Sequence, residues 1–228
     1  MKTKVLILIL LATLASLSPA KAQWKLGVTM GATHNKYSIH TPPLNDVHYT
    51  DAWGGFPGCD IPIGTCGFMA QYDIFHWLGF RTDLNWTYKN YSMSIPEQAD
   101  YELHNGYIQL PVMASFSIGN KSFRGFCNLG IYGAYWLSSH KFGKEKVLSH
   151  TTVGTNKNEF NSHRDQRFDY GLTGGTGIEW RWHKKWSWQI VEVRVYYSTQ
   201  SSQKQYMSAK DPRYNTTIAL QSGVSYLF

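Results

Sequence analysis

The 228 residues carry 22 Lys and Arg against 15 Asp and Glu, a net charge of +7, with only 16% charged residues and 15% aromatics. That length allows one domain, or two small ones, with ample material for a core or a closed barrel, and many aromatics beside few charges argue against disorder. A negative mean hydropathy and no internal apolar run of 18 residues exclude a polytopic helical membrane protein, so nine Trp, fifteen Tyr and eleven Phe need another explanation.

The chain begins Met1-Lys2-Thr3-Lys4, runs apolar from Val5 to Leu17, and then reads Ser18-Pro19-Ala20-Lys21-Ala22. A basic start, a short apolar stretch and small residues at Ala20 and Ala22 predict a secretory signal peptide over 1–22, cleaved after Ala22. The apolar stretch is short for a membrane anchor, and no Cys stands at the cleavage point for lipoprotein processing. Cleavage removes Lys2, Lys4 and Lys21 and lowers the charge from +7 to +4. With no dense basic run left, and with export from the cytoplasm, a nucleic-acid partner has no support.

From Gln23 onward the period is two. Trp24, Leu26, Val28, Met30 and Ala32 open the pattern, followed by Phe68, Ala70 and Tyr72, then Leu78, Phe80, Thr82, Leu84, Trp86 and Tyr88. Ile108, Leu110, Val112, Ala114 and Phe116 make a fourth run, and Cys127, Leu129, Ile131, Gly133, Tyr135 and Leu137 a fifth. Phe168 to Trp180, Val191 to Tyr197 and Thr216 to Phe228 complete eight predicted strands. None of these alternate positions carries Asp, Glu, Lys or Arg, while the opposite phase holds Lys25, Arg81, Asp83, Lys89, Asp169, Glu179, Glu192 and Arg194. Alternation alone fits two barrels: a secreted, soluble lipocalin-like binding barrel with its apolar face inward, or a membrane barrel with that face outward.

The connectors favour the membrane. They alternate long and short: about 38–66, Asp73 to Trp77, 92–104, Gly119 to Ser122, 138–166, Arg181 to Lys185 and 199–213. Short turns at one rim and long polar loops at the other predict an all-β, eight-stranded antiparallel transmembrane β-barrel over 23–228. It is an up-and-down meander with short periplasmic turns and long extracellular loops. Closure removes every edge that hydrocarbon would leave unpaired. In the first long loop Cys59 and Cys66 are near enough in sequence for a disulfide in an oxidising compartment, or are two independent thiols; Cys127 is left over. No ligand spacing points to a metal, and none of the motifs implies a cofactor.

The aromatics sort by position into two girdles. Trp24, Phe75, Trp77, Phe123, Trp182, Trp186 and Trp188 fall beside the short turns, and Trp86, Tyr88, Tyr91, Tyr135, Trp136, Phe168, Tyr170 and Tyr197 toward the long loops. The chain ends Tyr226-Leu227-Phe228, which resembles the barrel-assembly signal of outer-membrane proteins and implies the assembly machinery as a partner in biogenesis.

Three stretches carry a further likeness. Gly106-Tyr107-Ile108-Gln109-Leu110-Pro111-Val112, Leu129-Gly130-Ile131-Tyr132-Gly133 and Phe168-Asp169-Tyr170-Gly171-Leu172-Thr173-Gly174-Gly175-Thr176-Gly177-Ile178-Glu179 resemble the PorT family of outer-membrane barrels of Bacteroidetes. The resemblance implies an OmpA-like barrel, and its namesake's role implies an accessory of the type IX secretion system and gliding motility. Pro111, which removes a ladder donor, is expected at a bulge.

An eight-stranded barrel is just wide enough for its side chains to fill. Arg81 and Arg194 are therefore expected to face Asp83, Asp169, Glu179 and Glu192 across the lumen as a plug, the alternative being a narrow ion path. An enzyme, such as a lipid-modifying enzyme or protease, would need a nucleophile beside a base; Ser139-His140, Ser149-His150 and Ser162-His163 are the only adjacent pairs in loop 138–166, and no lipase or omptin motif surrounds them. The preferred reading is a non-enzymatic barrel with a structural, adhesive or secretion-accessory role. Its expected partners are outer-membrane lipid and lipopolysaccharide, through a basic loop 138–166, and a surface or secretion protein.

Overall fold

The computed structural model describes residues 23–39, 48–54, 63–95, 99–147, 150–157, 159–161, 163, 165–183, 185–202, 204 and 213–228. The signal-peptide segment and Cys59 lie outside the described residues, and with Cys59 the choice between a disulfide to Cys66 and two independent thiols. Eleven strands make up the described secondary structure: β1 (Gln23–Ile39), β2 (His48–Gly54), β3 (Thr65–Asp73), β4 (Leu78–Tyr88), β5 (Tyr91–Ile95), β6 (Ala99–Gly119), β7 (Phe123–Val147), β8 (His150–Lys157), β9 (Phe168–His183), β10 (Trp186–Ser198) and β11 (Arg213–Leu227).

Eight of them close a ring. The order β1-β3-β4-β6-β7-β9-β10-β11 returns to β1, every pair antiparallel. The closing seam, β1 on β11, pairs from Lys25–Leu227 to Ile39–Arg213. It is completed below by the Phe228 N–H donating to the Trp24 carbonyl at 3.0 Å. Short turns join β3 to β4 and β6 to β7; at the second, Gly119 has φ of 138°, a left-handed conformation that a side chain would strain.

The remaining strands correct the expected long loops. Segment 92–104 is a hairpin of β5 against the upper part of β6, loop 138–166 begins as an extension of β7 paired with β8, and β2 joins the upper sheet beside β5. Polar, β-branched runs such as Thr151-Thr152-Val153 pair outside the membrane as other strands do within it, because ladder bonds need no apolar face. At 21 residues β6 is about twice the length that crosses a bilayer, so its upper half stands outside.

Sidedness inverts that of a soluble protein. Outward positions are apolar and exposed: Leu26, Val28, Met30, Phe68, Phe80, Leu84, Leu110, Val112, Leu129, Ile131, Leu172, Ile218 and Leu220. Inward positions are polar and buried, among them Thr29, Thr33, Gln71, Asn85, Gln109, Asn128, Thr217 and Gln221. Only hydrocarbon outside makes that arrangement stable, which removes the soluble lipocalin-like alternative.

Two irregularities set which residues point inward. A register shift on β10 between Gln189 and Glu192 resets the phase, so both face the lumen. A second, beside Gly106 and Tyr107 on β6, does the same on β7, so that Ser139 faces inward as Trp136 does although three residues separate them. Pro111 was expected at a bulge; instead the pairs Thr82–Val112 and Asn85–Gln109 keep one register across it. The Thr82 hydroxyl donates to the Pro111 carbonyl at 3.0 Å where the proline has no N–H to offer.

Candidate functional site

The lumen is filled in layers, each fixed by the inward phase of its strands. At the centre β4 contributes Arg81 and Asp83, and β10 contributes Glu192 and Arg194, all buried. Arg81 grips Asp83 through Nε at 2.9 Å and Nη2 at 3.2 Å, and its Nη2 lies 3.3 Å from Glu192. Arg194 donates to Asp83 Oδ2 at 2.5 Å and to both oxygens of Glu192 at 2.9 and 2.8 Å. Gln189 and Asn128 donate to the remaining faces of Glu192 at 2.8 and 2.9 Å. Two cations and two anions, each with several partners, meet the requirement for burying charge.

The expected membership of this cluster needs correction. Asp169 and Glu179 do not face Arg81 or Arg194, because ten residues of β9 separate the two acids, about 33 Å along a strand. They anchor separate layers instead. Toward the outside, Asp169 pairs with Lys89 at 2.5 Å and accepts the Ser198 hydroxyl at 2.5 Å, while the Lys89 ammonium sits 4.8 and 5.1 Å from the Tyr107 and Tyr132 rings. Toward the periplasm, Glu179 accepts from Lys25 at 2.7 Å and from Arg181 Nε at 2.9 Å. Lys25 and Lys89 escaped the predicted network although both stand in its inward phase, so parity alone was the signal that identifies them. Between the central and outer layers the side-chain amides of Asn85, Gln109 and Gln221 find no hydrogen-bond partner among the described residues, a setting that proteins satisfy with ordered water.

An aromatic lid lies above the Lys89 layer. Tyr107 stacks on Trp136 at 5.8 Å, Phe160 meets Trp136 edge-on at 5.0 Å, and Arg167 lies 4.3 Å over Phe160. Trp136 was expected in the outer girdle; it is 7% exposed, because its phase is that of Tyr132 and Ala134 inside the barrel. Tyr88 departs from the girdle too, buried at the end of β4 where the chain turns in through Lys89 and Asn90. Trp24, Trp77, Trp182, Trp186 and Phe228 are exposed at the periplasmic ends of their strands, with Phe228 edge-on to Tyr226 at 4.9 Å, and Trp86 is half-buried toward the other end.

Of the Ser-His pairs, only Ser139-His140 lies wholly among the described residues, and its two side chains part. Ser139 is buried and donates to Asn105 at 2.8 Å, whereas the His140 ring lies near Phe142, at 6.5 Å between centroids. Ser149 and Ser162 lie outside the described residues.

A family model described as outer membrane protein beta-barrel domain matches residues 18–202. No curated protein matches the chain. Among solved structures, Ail, the attachment invasion locus protein of Yersinia pestis, in complex with the heparin analogue sucrose octasulfate, aligns at 11% identity and a TM-score of 0.43, covering 90% of this chain and 99% of that one. Neisserial surface protein A aligns at 13% identity and a TM-score of 0.44, covering 89% and 96%, and Escherichia coli outer membrane protein W at 15% and 0.42, covering 91% and 98%. With a polar, ion-paired lumen inside an apolar belt, and a family match over well more than half its length, the chain belongs to the outer membrane protein beta-barrel domain family.

Proposed function

We propose that this barrel is a non-conducting scaffold of the outer membrane, exported by the signal peptide over 1–22, which presents the sheet of β2, β5, β6, β7 and β8 at the cell surface. The observation that carries the reading is the central cluster: Arg81, Asp83, Glu192 and Arg194 are all at most 3% exposed and cross-link β4 to β10 through the middle of the lumen. A lumen closed by charge pairs spends its interior on rigidity, and binding falls to what projects. On this reading the role is structural, adhesive or secretion-accessory, the last in line with the PorT-like stretches, and it needs neither cofactor nor catalytic residues. The sequence of β7 and β8 beyond the membrane carries Lys141, Lys144, Lys146 and Lys157, a net positive charge that suits lipopolysaccharide or an acidic surface partner.

Planar-bilayer recording of the purified protein tests the plug, and silence under voltage is the expected result; regular single-channel openings would replace it with the narrow-pore reading. Removing 138–166 tests the presentation. The shortened barrel should still fold and migrate as a heat-modifiable band, while recovering fewer partners from native outer membrane, and unchanged recovery would remove the sheet from the proposal.

A further inference from the structure

We propose that the periplasmic mouth of the barrel is a binding site for an oxyanion, a carboxylate or phosphate group. A cavity of about 440 Å³ opens there between the short turns, and Asp73, His76, Lys121, Arg124 and Arg181 are on its wall. That volume is within the range of small-ligand sites.

The charges at this mouth do not balance as they do at the centre. Lys25, Arg124 and Arg181 face Asp73 and Glu179, and Lys121 adds a further cation at the rim. Both oxygens of Glu179 are committed, to Lys25 at 2.7 Å and to Arg181 Nε at 2.9 Å. Asp73 Oδ1 takes the Gln71 amide at 2.6 Å. Its other oxygen stands 3.8 Å from Arg124 Nη1 and 3.6 Å from Arg181 Nη2, too far to accept a hydrogen bond from either. Arg124 Nη2 points to the His76 backbone carbonyl. Arg181 Nη2 is buried and makes no hydrogen bond among the described residues.

Two guanidinium groups thus converge on one carboxylate oxygen that neither reaches. A buried charged donor without an acceptor is costly, and the planar fork of Arg matches the paired oxygens of a carboxylate or phosphate. An oxyanion entering from the periplasm would give Arg124 Nη1 and Arg181 Nη2 the acceptor that Asp73 holds too far away, and would offset the positive surplus. Asp73 opposes it, and this unfavourable carboxylate is outnumbered by Lys121, Arg124 and Arg181 on the same wall.

The full chain, refolded in maltoside micelles without phosphate, provides the test. Inorganic phosphate, acetate and chloride are titrated at constant ionic strength while NMR follows the backbone amides of 119–124 and 181. Saturable shifts with phosphate or acetate, and none with chloride, are expected. Lys121→Gln, an exposed change that leaves the fold intact, should weaken binding roughly threefold, and Arg124→Gln about tenfold or more. Short-chain phosphatidylglycerol added at matched phosphate concentration separates the sources: shifts with this lipid alone assign the oxyanion to a membrane headgroup, shifts with free phosphate to a soluble molecule. Absence of saturable shifts with all of these, or affinity unchanged in both variants, would overturn the site.

Discussion

Arg194 is where the stability of the lumen is most concentrated. Its guanidinium serves Asp83, both oxygens of Glu192 and the Tyr196 hydroxyl from a fully buried position. Arg194→Met therefore leaves two carboxylates sharing Arg81, and should cost about 3–5 kcal/mol, the usual penalty for stranding a buried charge. Replacing Glu192 by Met as well removes an anion with the cation, and the double variant should lose markedly less than the sum of the single changes. Urea unfolding in micelles, followed by Trp fluorescence, measures both, and a single-variant loss below about 1 kcal/mol would show that the cluster contributes little. The identities of Arg81, Asp83, Glu192 and Arg194 were legible from inward parity alone. The pairings of Asp169 and Glu179 were not, since Lys89–Asp169 and Lys25–Glu179 depend on how far along the barrel each strand is staggered, which no single strand encodes.

At the scale of the element, the ring depends on its seam, the one pairing that joins the first strand to the last. At Gly31 the backbones approach so closely that a Cβ would lie 2.0 Å from the Leu220 carbonyl oxygen. Gly31→Val should accordingly spread β1 from β11 and lower the fraction of refolded, heat-modifiable barrel on a gel, with little effect on strands far around the ring; a normal folded fraction would mean that the seam can open by a few tenths of an ångström without consequence. The eight ring strands could be read from sequence because period-two alternation is a direct imprint of one apolar and one polar face. The register shifts at Gln189–Glu192 and at Gly106–Tyr107 could not, since a single inserted residue leaves no compositional mark, and the second of them is what brings Ser139 to the interior. The strands β2, β5 and β8 were hidden for a different reason: outside hydrocarbon nothing forces a strand to alternate.

For the whole molecule, the aromatic excess and the low charge follow from one cause, a surface that faces lipid. Cys127 reports on that surface directly. It lies on β7 between Phe116 of β6 and Thr176 of β9, exposed, beside an apolar groove of about 320 Å³ that includes Trp77 and Ile118. A soluble barrel with the same exposure would offer this thiol to water; a membrane barrel covers it with acyl chains. In lipid vesicles, a variant carrying Cys59→Ser and Cys66→Ser should resist a sulfonated, water-borne maleimide at Cys127 while folded and react promptly once unfolded in urea, because a charged reagent does not enter hydrocarbon and thiolate forms in water. Prompt labelling of the folded protein in vesicles would place the belt against water, and with it the outward phase of all eight ring strands.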